Sequence, residues 1–140
     1  MPTLFTRIIR GEIPGRFVWR DDRCVAFLTI APIKPGHTLV VPIAEVDHWL
    51  DLDTDLAQHL MTVAQSIGKA IQHGFKPIKV GMMIAGLEVP HVHLHVLPIA
   101  TLGDLDFANQ DQGAKPTDLD RAAETIRASL RALGYKQVAS

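Results

Sequence analysis

The stretch that decides the fold of this chain is Val89-Pro90-His91-Val92-His93-Leu94-His95-Val96. Histidine alternates in it with aliphatic residues, and successive side chains of a β-strand point to opposite faces. The alternation therefore predicts a strand from His91 to Leu97 that ends at Pro98. Its aliphatic face must pack against a core, and its three imidazoles face something polar.

Three histidines in register allow three interpretations. A lone strand histidine is usually a hydrogen-bonded structural residue, but a purely structural role does not readily explain three histidines on one face. Imidazoles are zinc ligands, and three with an open position activate water. However, neighbouring histidines on one strand face are about 6.7 Å apart, and no carboxylate accompanies them. Imidazole is also a nucleophile toward phosphorus, because its pKa near 6.5 leaves it partly neutral. The residues alone leave these alternatives open.

Composition excludes several classes of protein. The 140 residues include 14 Lys and Arg against 15 Asp and Glu, without the basic excess of a protein held on nucleic acid by phosphate contacts. No apolar run approaches the roughly 18 residues that span a bilayer. The single Cys24 cannot form an internal disulfide and is expected to be buried, with Met61, Met82 and Met83 in the core. We therefore expect a cytoplasmic protein with no nucleic-acid or membrane partner.

Apolar spacing elsewhere predicts helices and further strands. The predicted strands are residues 17–19, 24–30, 38–41, 79–84 and 91–97. The predicted helices are residues 4–10, a long helix between Asp53 and Gly74, and a last helix capped by Thr117 and closed by Gly134. Residues 100–116 are polar and expected to be irregular. Consecutive strands with helices between and after them predict an α+β fold with an antiparallel sheet of about five strands. We expect a single domain over 1–140.

Motifs beyond the histidine stretch resemble those of one family. They are Phe5-Thr6-Arg7-Ile8-Ile9-Arg10-Gly11-Glu12-Ile13-Pro14, Asp21-Asp22-Arg23-Cys24-Val25-Ala26-Phe27 and Pro35-Gly36-His37-Thr38-Leu39-Val40-Val41-Pro42. With the alternating histidines, they make the chain resemble the histidine triad (HIT) superfamily over residues 4–98. Residues 99–140 add little to this resemblance, which implies a HIT-like fold.

The resemblance also implies an activity, namely hydrolysis or nucleotidyl transfer at the α-phosphate of nucleoside phosphoramidates, dinucleoside polyphosphates or related nucleotides. By the same resemblance, His93 would attack the phosphorus and carry a nucleotidyl-histidine intermediate. His95 would contact the phosphate and help to protonate the leaving group. His91 would support the triad, and His37 would lie near it. A nucleotide substrate and a homodimer are the implied partners, with no cofactor and no metal.

A nucleotide-binding pocket is implied in the same way. Its apolar wall would hold the base and ribose, although the sequence alone would make these residues ordinary core: Leu4, Phe5, Ile8, Phe27, Ile30 and Leu39. Thr29 would lie at the ribose. The turn before the histidines would bind phosphate through backbone N–H groups, since glycine lets an anion approach closely. The turn residues concerned are Gly86, Leu87, Glu88 and Val89.

The sequence departs from the family pattern at several of these positions. Leu87 stands where a glutamine is common, and Thr29 where an aspartate often binds ribose hydroxyls. Thr3 and Thr6 replace a pair of zinc-binding cysteines of bacterial relatives, and Glu45 replaces a further histidine. These departures leave two alternatives open beside the enzyme: a nucleotide-binding adaptor with weak catalysis, or a histidine-ligated zinc hydrolase.

Overall fold

The computed structural model describes residues 1–140 and contains one five-stranded sheet. Its strands are β1 (Phe17–Arg20), β2 (Cys24–Leu28), β3 (Thr38–Pro42), β4 (Lys79–Met83) and β5 (Leu94–Ile99). They lie in the order β1-β2-β3-β5-β4, and every neighbouring pair is antiparallel. The α-helices are α1 (Leu4–Ile9), α2 (Thr54–Phe75) and α3 (Pro116–Ala132). The predicted α+β fold is confirmed.

The main core lies between one face of the sheet and the helices α2 and α3. In α2, Leu60, Val63, Ile67 and Ile71 recur at steps of three or four residues, and all four are buried. This spacing places them on one side of the helix, toward the sheet. The core also receives the aliphatic side chains between the histidines, Val92 among them.

The opposite face of the sheet carries a smaller apolar cluster under α1. Phe5 and Ile8 of α1 pack there on Val25, Phe27 and Leu39. Neighbouring residues of β2 point into the other core, as the strand alternation requires. The short helix α1 covers only part of this face, and the uncovered part lies beside the histidines.

The histidine strand is shorter at its start than the sequence predicts. β5 begins at Leu94, so only His95 of the three histidines lies within it, and it continues through Pro98. Its pairing with β3 runs only from Leu94 to Val96, while β4 pairs with it up to Ile99. Beyond Val96, β5 therefore has a single partner, which is where a strand tolerates proline.

Smaller corrections concern the ends of elements. β2 ends at Leu28 rather than at residue 30. Lys115, not Thr117, precedes the first turn of α3, because Pro116 occupies the first helical position that proline favours. Residues 100–116 contain two 3₁₀ helices, Leu102–Leu105 and Phe107–Asn109. A third 3₁₀ helix covers Trp49–Asp51. No helix has the length and apolar character that crossing a membrane requires.

The two edges of the sheet differ. Beside β1 the carboxyl-terminal residues run as a partial strand: Arg20 N–H donates to Gln137 O, and Ala139 N–H donates to Val18 O. The outer edge of β4 has no such cover. Met82 on β4 and Met61 on α2 are 40% and 54% exposed, so the expectation that both are core is wrong.

Candidate functional site

The histidines lie at the open part of the face that α1 covers. A cavity of about 300 Å³ is bounded there by α1, β2, β3 and the segment before β5. Among the residues expected at a nucleotide site, those on its wall are Leu4, Phe5, Ile8, Phe27, Thr29, Ile30, Leu39, Glu88, Val89, His93 and His95. All six apolar positions singled out from the sequence thus share one cavity.

Four expected site residues lie elsewhere. Gly86 and Leu87 border a separate depression beside Trp49, and the Leu87 side chain is 95% exposed. Gly86 does adopt the positive φ of a tight turn, +76°. His37 and His91 are fully buried behind the cavity wall, so they contact its histidines and not its interior.

Several residues of the cavity have no pattern in the sequence that predicts them. Arg16 lies at one end, where its Nε donates to Asp120 Oδ1 at 2.7 Å. Gln110 and Gln112 reach the wall from the polar segment after β5, and the Phe107 ring packs edge-on against His95 with centroids 4.9 Å apart. This segment has no periodic pattern that indicates a contact with the histidines.

His93 is held in one protonation state by the backbone. Its Nδ1 lies 2.7 Å from the carbonyl oxygen of His91, which only accepts hydrogen bonds, so Nδ1 carries the proton. Burial lowers the pKa of His93, and the ring is neutral at pH 7. The edge of Phe5 packs against it with centroids 4.8 Å apart. The lone pair of His93 is therefore on Nε2.

His95 is the last member of a hydrogen-bond chain through His37. The N–H of Ile33 donates to His37 Nδ1 at 3.0 Å, so a neutral His37 carries its proton on Nε2. That proton is donated to His95 Nδ1 at 2.9 Å, which places the proton of a neutral His95 on its own Nε2. Burial lowers the pKa of His37 to about 4 and that of His95 to about 3. Both rings are thus neutral at pH 7.

The Nε2 atoms of His93 and His95 have no partner in the protein. Every buried side-chain nitrogen and oxygen has one, so these two atoms are accessible, and their rings lie on the cavity wall with centroids 4.8 Å apart. One Nε2 offers a lone pair and the other an N–H donor. The pair can attack an electrophilic centre while it donates a hydrogen bond to an oxygen on that centre.

His91, by contrast, is bonded at both ring nitrogens. Nε2 lies 2.7 Å from the carbonyl oxygen of Pro42 and donates to it. Nδ1 lies 2.7 Å from Thr3 Oγ1 and accepts the hydroxyl proton. Burial lowers the pKa of His91, which favours this neutral, doubly bonded state. Because no nitrogen of His91 is free, the three rings do not form a common metal site.

A second cluster of polar side chains lies away from the cavity. Trp19 Nε1, His59 Nε2 and Cys24 Sγ all donate to Asp21 Oδ2, at 2.9, 2.8 and 3.5 Å. Burial opposes ionisation of Asp21, but the hydrogen bonds from Trp19 and His59 and two from backbone N–H groups lower its pKa to about 2. The carboxylate thus ties the β1–β2 hairpin to α2 through His59.

Taken together, an α+β sheet of this order, with alternating histidines before and in β5 and an apolar cavity beside them, defines a histidine-triad protein. The HIT domain family model matches residues 10–102. The chain belongs to the HIT family.

Individual relatives agree with this assignment. The chain is 30% identical to protein hit of Bacillus subtilis over 135 residues, which cover 91% of this chain and 93% of the relative. A crystal structure of a Hit-like protein from Bartonella henselae is 30% identical with a TM-score of 0.76, over 91% of this chain and 95% of that one. A Zn-bound histidine triad protein from Mycobacterium smegmatis is 26% identical with a TM-score of 0.81, over 93% and 94%.

The residues at the position where the resemblance places the zinc-binding cysteines of bacterial relatives do not fit zinc. Thr3, Thr6, Glu45 and His91 lie together, but Thr3 N–H donates to Glu45 Oε1 at 2.8 Å and the two hydroxyls are 3.2 Å apart. Structural zinc takes thiolate, imidazole or carboxylate ligands. Here two of the four groups are hydroxyls, and the Nδ1 of His91 already accepts the Thr3 proton.

Proposed function

We propose that the protein is a hydrolase or nucleotidyl transferase that acts on the α-phosphate of nucleoside phosphoramidates, dinucleoside polyphosphates or related nucleotides. The observation that carries the proposal is the state of His93. Its Nδ1–H is fixed on the His91 carbonyl oxygen, so its unprotonated Nε2 is at the cavity. A neutral, oriented imidazole of this kind is a competent nucleophile.

The first chemical step forms a bond between His93 Nε2 and the α-phosphorus while the bond to the leaving group breaks. The ring then carries a positive charge, because Nδ1 keeps its proton. The His91 carbonyl oxygen at 2.7 Å and the negative charge of Glu88 both favour that charge. Water next attacks the phosphorus while the bond between phosphorus and His93 Nε2 breaks. The water loses a proton to solvent, the nucleoside monophosphate is released, and His93 returns to its neutral Nδ1–H state.

His95 is assigned to the phosphate. Its Nε2–H can donate to a non-bridging oxygen, where charge grows in the transition state. Burial lowers the pKa of His95 to about 3, so its ring is neutral before a nucleotide binds. The negative charge of a bound phosphate favours the protonated ring, and we therefore assign protonation of the leaving group to His95, as the family resemblance implies.

The base and ribose are assigned to the apolar wall. Phe5, Ile8 and Phe27 offer ring and aliphatic surface to a base. The hydroxyl of Thr29 accepts a hydrogen bond from Ala31 N–H at 3.2 Å, so its own proton is free for a ribose oxygen. Glu88 and Val89 are the turn residues that we place near the phosphate, while Gly86 shapes the turn.

We also propose a homodimer that pairs the exposed edges of two β4 strands. Exposed apolar side chains surround this edge: Met61, Ile78, Met82 and Ile84. An uncovered edge strand with apolar neighbours is a template for pairing, whereas the carboxyl terminus protects β1. The cytoplasmic location stays a prediction.

The test of the proposed activity is a substrate panel with release of nucleoside monophosphate as the readout. Wild type should turn over at least one adenosine or guanosine phosphoramidate or dinucleoside polyphosphate. Thr62→Val, a substitution on the exposed side of α2, should behave as wild type. Nucleotide binding by calorimetry without turnover of any member would contradict the enzyme and support the adaptor alternative.

A further inference from the structure

The backbone that carries His93 is not held by the sheet. Residues 91–93 precede β5, and their backbone hydrogen bonds are local or to a loop: His91 N–H donates to Val89 O at 2.8 Å, and Val92 N–H to Val46 O at 2.7 Å. Yet the carbonyl oxygen of His91 fixes the proton of His93. The position of that carbonyl needs another source of restraint.

The ring of His91 supplies this restraint from both sides. It is fully buried, and it joins the end of β3, through Pro42 O, to the start of α1, through Thr3. Because a carbonyl oxygen cannot donate, Nε2 must carry the proton and Nδ1 must accept one. The Thr3 hydroxyl has one proton and two acceptors within reach, His91 Nδ1 at 2.7 Å and Thr6 Oγ1 at 3.2 Å. Because Nδ1 is the nearer and has no other donor, the hydroxyl donates to His91.

Thr3 also ties α1 to the same point. It is the N-cap of α1, since its Oγ1 accepts from Thr6 N–H at 3.1 Å. Its own N–H donates to Glu45, beyond the end of β3. The helix that Thr3 caps carries Phe5, whose ring packs against both His91 and His93.

We propose that Thr3 is a positioning residue for His93. By donating to His91 Nδ1, it stabilises the Nε2–H tautomer that the Pro42 carbonyl also requires, and it holds the ring between Pro42 and α1. The His91 carbonyl then keeps the proton of His93 on Nδ1 and leaves Nε2 unprotonated. A hydrogen-bonded latch of Thr3, Glu45 and His91 thus fastens α1 to the histidines. The kinetic consequence rests on the proposed function, but the tautomers do not.

Three substitutions separate this role from simple helix capping. Thr3→Ser keeps both the cap and the donor. Thr3→Asp keeps the cap, because aspartate is among the best N-cap residues, but its ionised carboxylate cannot donate to Nδ1. Thr3→Val removes both. Thr62→Val, on the exposed side of α2, is the matched control for loss of a threonine hydroxyl.

The test reads the ring nitrogens of the four histidines at the site, His37, His91, His93 and His95, by ¹⁵N NMR at pH 7. Single-turnover rates and nucleoside monophosphate affinity are measured on the same variants. In wild type and Thr3→Ser, His91 should be the Nε2–H tautomer and His93 the Nδ1–H tautomer. Thr3→Asp and Thr3→Val should lose the single His93 tautomer. Their rate of intermediate formation should fall about tenfold, as expected for one lost hydrogen bond near 1.4 kcal/mol, with affinity within about twofold.

The outcomes are separable. If a folded Thr3→Asp variant has the same His91 and His93 tautomers and the same rate of intermediate formation as wild type, the proposal is overturned. Thr3 would then act only as the N-cap of α1. If Thr3→Val fails to fold, the comparison of Thr3→Ser with Thr3→Asp decides. If wild type turns over no substrate, the proposed function fails, and the NMR comparison still decides whether Thr3 positions His93.

Discussion

Acid should destabilise this fold through the same buried rings that form the site. The folded pKa of His37 is about 4 and that of His95 about 3, each lowered chiefly by burial from an ordinary value of 6.5. Below pH 6.5 the unfolded chain binds protons at these rings and the folded chain does not, so stability falls as the pH falls. Between pH 7 and pH 5 each ring contributes a loss of about 2 kcal/mol, or about 4 kcal/mol for the pair.

The assay is urea unfolding followed by tryptophan fluorescence at half-unit steps from pH 7.5 to pH 4.5. His37→Gln removes one of the two rings, so the slope of its unfolding free energy against pH should decrease by about one proton. The variant will itself be less stable at pH 7, because His37 bonds both Ile33 and His95. A wild-type stability that is constant from pH 7 to pH 5, or an unchanged slope in His37→Gln, would refute the reasoning.

Three further predictions follow from the cavity, the sheet edge and the zinc position. Thr29→Asp should raise kcat/KM for a ribonucleotide substrate about tenfold, since a second carboxylate oxygen can accept from the ribose while the first keeps the bond from the backbone. Leu87→Gln should change kcat/KM less than about twofold, because this exposed side chain lies off the cavity. A larger gain in kcat/KM from Leu87→Gln than from Thr29→Asp in initial-rate assays would be inconsistent with the site. Light scattering should give twice 15.4 kDa for wild type and one copy for Met82→Lys; a wild-type monomer at micromolar concentration would argue against pairing of β4. Chelator treatment should leave turnover and Tm unchanged, because Thr3 and Thr6 offer hydroxyls where zinc needs stronger ligands. Stoichiometric zinc in the purified protein, with activity lost when the zinc is removed, would support the metal interpretation.

The fold was predictable from local patterns. Apolar spacing of three and four residues identifies α2, and the short runs of strand formers identify the sheet, because each element buries one face. The start of β5 was not predictable. Alternation at His91 and His93 continues the strand pattern, but β3 pairs with β5 only as far as Leu94, although β3 itself runs to Pro42. The N–H of Val92 donates to Val46 O in a loop instead, and a contact of this kind has no local sequence signal.

The site was predictable in part. His93, Phe27 and other residues of the resemblance do line one cavity. Gln110 and Gln112 were missed because a polar, aperiodic segment gives no indication of what it packs against. The sequence shows only that Thr3 stands where bacterial relatives have a cysteine. It does not indicate the hydrogen bond from Thr3 to His91, because the two residues are 88 positions apart.

The central claim is that His93 Nε2 becomes covalently bonded to phosphorus. The direct measurement is acid-free rapid quench of a single turnover, with peptide mass spectrometry of the trapped protein. A nucleoside monophosphate adduct on the peptide that contains residues 91–95, placed on His93 by fragmentation and absent in His93→Ala, is the expected result. Full turnover by His93→Ala, or an adduct on His95 in the wild type, would contradict the account.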